Sequence, residues 1–139
     1  MRFLLDTNVV SEARKPHSDA NVAAWLGNQS LGELAISVLT VLEIDLGIRR
    51  LRRRDPASAD VLQRWLDDKV LAGFEGRILP LDLACVRAVA PMHVPDPRPE
   101  RDAMIAATAL VQGLTVVTRN VSDFAPLGVV TLNPWQPVG

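Results

Sequence analysis

Cysteine occurs once in this 139-residue chain, at Cys85, so an internal disulfide framework and a cysteine-held zinc cluster are both excluded. A single cysteine on a helical stretch reads as a buried free thiol and suits a reducing compartment. Long apolar runs are also missing. Phe3-Leu4-Leu5 meets Asp6 too soon to form a signal-peptide core. The apolar helix expected over Ala103–Val111 falls well short of the ~20 residues that cross a bilayer. A cytoplasmic location without membrane attachment is the expectation. Charge of one sign is nearly absent in excess: the formal net charge is −1, so any polyanion must be held by local basic patches. With 48% of its residues hydrophobic, the chain can bury one substantial core, and residues 1–139 are expected to form a single domain.

What is present alternates. Strands are expected at Arg2–Leu5, Leu34–Ile36, Arg77–Leu81, Thr115–Thr118 and Val129–Leu132. Helices are expected around Asn21–Leu26 behind an Asp19 cap, from Val38 to about Leu51 behind a Ser37 cap, and from Ala57 to about Ala72 after the Asp55-Pro56 break. A further helix is expected over about Asp82–Ala90, ended by the proline-rich run Pro91–Pro99, and another begins at Asp102. Such alternation predicts an α/β fold with a mostly parallel five-stranded sheet between helical layers.

Ligand sites in open α/β sheets form beyond the carboxyl ends of the strands. Asp6 stands at one such end, with Thr118, Asn120 and Asp123 at another. Glu43 and Asp102 fall early on helices. The Asp102 helix is so rich in alanine that it can approach the sheet closely. Each acid alone would pass as a helix cap or a solvated group. Together they form an oxygen-only set suited to Mg²⁺ or Mn²⁺, and so to metal-assisted phosphoryl chemistry, because like charges gathered at one place need a cation to neutralise them.

The segments Leu4-Leu5-Asp6-Thr7-Asn8-Val9-Val10-Ser11, Ser37–Glu43, Asp102–Ala109 and Thr118-Arg119-Asn120-Val121-Ser122-Asp123-Phe124 resemble, in order, the PIN-domain ribonucleases. The likeness is closest to toxins of VapBC-type toxin–antitoxin pairs, the FitB-like branch included. This resemblance implies a PIN-like three-layer α/β/α sandwich and a Mg²⁺- or Mn²⁺-dependent endoribonuclease, usually a homodimer, silenced by a cognate antitoxin. It implies Asp6 and Asp102 as principal metal ligands, Asp123 completing the acidic site, and Glu43 binding metal or orienting the attacking water. Thr7, Asn8, Thr118 and Asn120 would be supporting polar contacts. The proline-rich approach to Asp102 departs from the family's usual helix and glycine-containing turn.

The expected mechanism is attack by a metal-bound water on an RNA phosphodiester with displacement of the 3′ oxygen. His17 and His93 both lie in loops and are not placed for attack by the 2′-hydroxyl. Arg49, Arg50, Arg52, Arg53 and Arg54 would track an RNA backbone, meet an acidic or C-terminal carboxylate of an antitoxin, or else form a solvated helix end favoured by the dipole. Trp25, Trp65 and Trp135 read as packing residues rather than base-stacking platforms. Surplus apolar residues on the helices after Ser37 and Pro56 suggest a dimer or antitoxin surface. Competing readings are a non-catalytic RNA- or protein-binding scaffold and a DNA-directed nuclease on the same site. A phosphatase is disfavoured because Asn8 stands where it would want a second acid, and the only lysines are Lys15 and Lys69.

Overall fold

The computed structural model describes residues 1–137. Five strands, β1 (Phe3–Leu5), β2 (Leu34–Ser37), β3 (Ile78–Leu79), β4 (Thr115–Val117) and β5 (Thr131–Leu132), form one sheet in the order β3-β2-β1-β4-β5. All the strand pairs are parallel. The chain winds outward from β1 in one direction through β2 and β3, then returns to the other side of β1 with β4. The carboxyl ends of β1 and β4 therefore flank the point where the winding reverses, the usual crevice for a ligand in an open α/β sheet. Leu4 pairs with Val116 and Leu5 with Val117, which fixes both ends at the same level.

Alternation along the strands divides the interior into two layers. Phe3, Leu5, Leu34, Ile36 and Val117 face a core completed by α1 (Thr7–Arg14), α2 (Ala20–Gly27), α3 (Val38–Arg52) and α4 (Pro56–Trp65). Within it, Trp25 meets Phe3 edge to face, with ring centroids 5.0 Å apart. Leu4, Ala35 and Val116 face the opposite core, built with α6 (Glu100–Gln112) and α7 (Val121–Phe124). There Ala106 and Ala109 pack on the sheet, while Ala103 and Ala107 turn toward Val89 of α5 (Leu83–Met92). Alanine on both faces lets α6 lie close to two neighbours at once, and this brings Asp102 to the sheet edge. Gly113, at φ 69°, ends α6 in the left-handed conformation that glycine adopts without a Cβ clash and turns the chain directly into β4.

Several sequence expectations need correction. The segment after Asp6 is helical, not merely a polar step. Its residues have modest helix propensity, but the Asp6 cap and burial of Val9 and Val10 hold α1 in place. Pro91 lies inside the last turn of α5 rather than beyond it, next to exposed Arg87, whose main-chain carbonyl loses its partner where water can supply another. The α4 helix continues through a π-helical turn at Leu66–Leu71. Four strands are one to three residues shorter than expected, β2 runs one residue further to Ser37, and α7 was not anticipated. Ser37, Asp19, Asp55 and Asp82 all act as N-caps. The C-terminal segment is pinned to α2: Asn21 Nδ2 donates to the Trp135 carbonyl at 2.8 Å.

No helix among the described residues is long and apolar enough to cross a membrane. Cys85 is buried, and burial raises its thiol pKa, which leaves it unreactive. His93 accepts the Arg98 main-chain N–H at Nδ1, an architectural role.

Candidate metal and active site

Asp6 organises the site. Its backbone leaves β1 in an extended conformation and its Oδ1 accepts the Thr7 N–H at 2.8 Å, capping α1. Its Oδ2 accepts the buried Thr118 hydroxyl at 2.8 Å and Asn8 Nδ2 at 3.3 Å. Thr118 Oγ1 in turn accepts the Asn120 main-chain N–H at 3.0 Å. Two strand ends and one helix start are thus tied to a single carboxylate. Of the expected supporting residues, Thr7, Asn8 and Thr118 act through side chains, whereas Asn120 contributes its backbone.

Glu43 reaches the edge because α3 crosses beside α1. Thr7 Oγ1 donates to Glu43 Oε1 at 3.1 Å and lies 3.2 Å from the hydroxyl of fully buried Thr40. Thr40 was missed as a site residue because a threonine in a helical apolar run carries no signal of its own. Arg101 was missed too. Its cationic charge acts on Glu43, yet in sequence it is merely the neighbour of Asp102.

The four acids lie close enough for their charges to act on one another. Burial raises the Asp6 pKa; hydrogen bonds from Thr118 and Thr7 oppose the rise, and the charge of Asp123 adds to it. Burial also raises Glu43, with Thr7 opposing, Asp6 adding and Arg101 opposing. Asp102 rises to about 6, through burial first and then the charges of Asp6, Asp123 and Glu43, and no hydrogen bond offsets it. Asp123 is exposed in the first turn of α7. Among the described residues no three acidic, histidine or cysteine side chains are drawn into a closed metal cage. The donor set nevertheless fits Mg²⁺ or Mn²⁺, since Mg²⁺ is usually held through one or two carboxylates with waters completing its shell. Three half-buried or buried carboxylates, each raised first by burial and then by a neighbouring acid, are the charge such a cation would neutralise.

Thr118→Val is expected to cost about 1–3 kcal/mol of stability, because Asp6 Oδ2 loses its shortest partner and the Asn120 N–H loses its acceptor. Denaturant unfolding measures this, and an unchanged midpoint would show that the hydroxyl is dispensable.

A groove of about 290 Å³ opens from Thr7 and Glu43 between α1, α3 and α4, lined also by Ser11, Arg14, Gly47, Arg54 and Trp65. Arg14 lies over the Trp65 ring, 5.8 Å from its centroid. The other arginines of the cluster point elsewhere. Arg49 pairs with Asp45 and Arg52 with Asp60, and both line a separate hollow with Arg53 and Gln63. Trp25 is a core residue, and Trp135 is half-buried beneath Arg119.

The PIN domain family matches residues 3–125. The chain is 35% identical to VapC ribonuclease Y4jK of Sinorhizobium fredii over 97% of its own length and 99% of that protein. It is 38% identical to Toxin FitB of Neisseria gonorrhoeae, covering 96% and 99% of the two chains. The crystal structure of FitAcB from Neisseria gonorrhoeae superposes with a TM-score of 0.88 at 36% identity, covering 96% of this chain and 98% of that one. With its sheet reversing at β1 and β4 and its acids gathered at that reversal, this chain belongs to the PIN domain family.

Proposed function

We propose that this chain is a single-domain endoribonuclease that depends on Mg²⁺ or Mn²⁺, and that it is the toxin half of a toxin–antitoxin pair. The observation that carries this reading is the gathering of Asp6, Glu43 and Asp102 at the sheet's reversal point, where burial first and neighbouring acids second hold their carboxyls above the usual range, a site that becomes favourable once a divalent cation enters. The relatives named as a ribonuclease and as a toxin, matched over nearly their whole length, support the substrate class and the biological role.

When bound, the cation supplies a Lewis acid for phosphoryl oxygens and lowers the pKa of a coordinated water. The chain supplies the rest. Asp6 and Asp102 would hold the cation, and Thr7 and Thr118 fix the Asp6 carboxylate in one orientation. Asp123, across the same edge, would complete the acidic lining. Glu43 Oε1 is engaged by Thr7, so its other oxygen is the acceptor for the proton of the attacking water. The bond from water oxygen to phosphorus forms as the bond to the 3′ oxygen breaks, and that oxygen is protonated from solvent. RNA fragments should therefore carry 5′-phosphate and 3′-hydroxyl ends. End-group analysis tests this, and 2′,3′-cyclic phosphate products would refute it.

Large exposed apolar side chains occur on α3 and α4 at Val38, Leu42 and Val61, but also on α5 and α6 at Leu83, Val86, Leu110 and Val111. The α5–α6 face is the better candidate for a homodimer surface, and the exposed Val38, Leu42 and Val61, none of which lines the groove at Thr7 and Glu43, for an antitoxin. Sedimentation at micromolar concentration should show a dimer, and a monomer would refute that assignment.

A further inference from the structure

We propose that the groove between α1, α3 and α4 seats the RNA strand beside the scissile bond, with Arg14 and Arg54 gripping the flanking phosphate. The inference rests on the ribonuclease reading and names the path its substrate takes. The groove begins at Thr7 and Glu43, so a strand bound there is continuous with the acidic edge. Arg14 and Arg54, by contrast with Arg49 and Arg52, form no ion pair among the described residues. Two guanidiniums that line one groove and make no ion pair complement a phosphodiester, which accepts their planar N–H pairs.

Gly47 is the second, independent observation. It lies inside α3, where glycine is costly in a helix, yet a Cβ built on it meets nothing within 4 Å. Packing within the chain therefore does not demand glycine. The space over it belongs to the groove, and a bare backbone there keeps the passage from Glu43 to Arg54 open for another molecule. Trp65, with Arg14 over its ring, forms a wall that holds this guanidinium in the groove.

Binding of a short single-stranded RNA of mixed sequence, in EDTA across a salt series, tests the proposal. Arg14→Gln and Arg54→Gln should each flatten the slope of log affinity against log salt by about 0.7, the contribution of one phosphate contact on a single strand. Gly47→Leu should weaken binding by about tenfold, the size of one lost charge-assisted contact, with a melting temperature no lower than the parent's. Arg53→Gln, in the separate hollow, should leave the slope unchanged. Parental slopes and affinities in all the groove variants would overturn the proposal and leave the groove to a protein partner. Equal flattening by Arg53→Gln would also overturn it, by revealing a diffuse basic field. RNA cleavage by the parent with Mn²⁺ is read separately. A parent that cuts RNA while the groove variants keep its slopes sinks only the groove, and one that shows the expected slopes but cuts nothing sinks only the nuclease.

Discussion

Asp102→Asn is expected to reduce RNA cleavage by about 10³-fold or more while raising the melting temperature of the metal-free protein near neutral pH. The first effect follows from losing a carboxylate that would share the cation with Asp6. The second has the opposite sign because Asp102 is poorly accommodated when ionised. Its pKa is pushed from 3.8 to about 6 by burial and by three neighbouring acids. The folded state therefore binds this proton more tightly than the unfolded state does. Stability is highest while the group is protonated and falls as pH rises from about 4 through about 6. Asparagine removes that loss, a gain of about 1–2 kcal/mol once solvent screening of a partly exposed carboxylate is allowed for. Thermal melts across this pH range should show a steeper decline for the parent than for the variant. Parallel curves would mean that neither burial nor the neighbouring acids penalise the ionised carboxylate.

Asp6→Ala should be equally damaging to cleavage but should lower stability by about 1–3 kcal/mol. Asp6 is itself raised by burial, yet three groups depend on it: the Thr7 N–H, the Thr118 hydroxyl and the Asn8 amide. Alanine leaves the α1 N-terminus uncapped and a fully buried hydroxyl without its acceptor. Asp6→Asn keeps an oxygen for the cap and turns an amide N–H toward Thr118 Oγ1, which can accept it, so it should be more stable than Asp6→Ala while cutting no RNA. Chemical denaturation of the two variants separates the roles: Asp6→Ala as stable as Asp6→Asn would show that the hydrogen-bond hub contributes nothing.

Three of the acids were legible in sequence because each sits where local pattern changes: Asp6 at the end of an apolar run, Asp123 just past a strand, Asp102 at the head of an alanine-rich helix. The strand and helix alternation made the sheet legible too. What escaped depended on tertiary placement. The α1 helix is built from residues of weak propensity and is held by one cap and two buried valines. Pro91 stays helical because the bond it removes lies at an exposed end of α5. Thr40 matters only because α3 passes Thr7, and Arg101 only because α6 passes Glu43. The five arginines formed one cluster on paper. In the folded chain, ion pairs and the turn after α3 separate them, and only Arg54 lines the groove that begins at Glu43.

Calorimetric titration of Mn²⁺ into the parent, Asp6→Asn and Asp102→Asn proteins tests most directly whether these two distant carboxylates hold one ion. The parent should bind, releasing protons increasingly as the pH is lowered toward about 6, where Asp102 becomes protonated. Each variant should lose most of that affinity. Variants that bind Mn²⁺ as tightly as the parent would contradict the shared site.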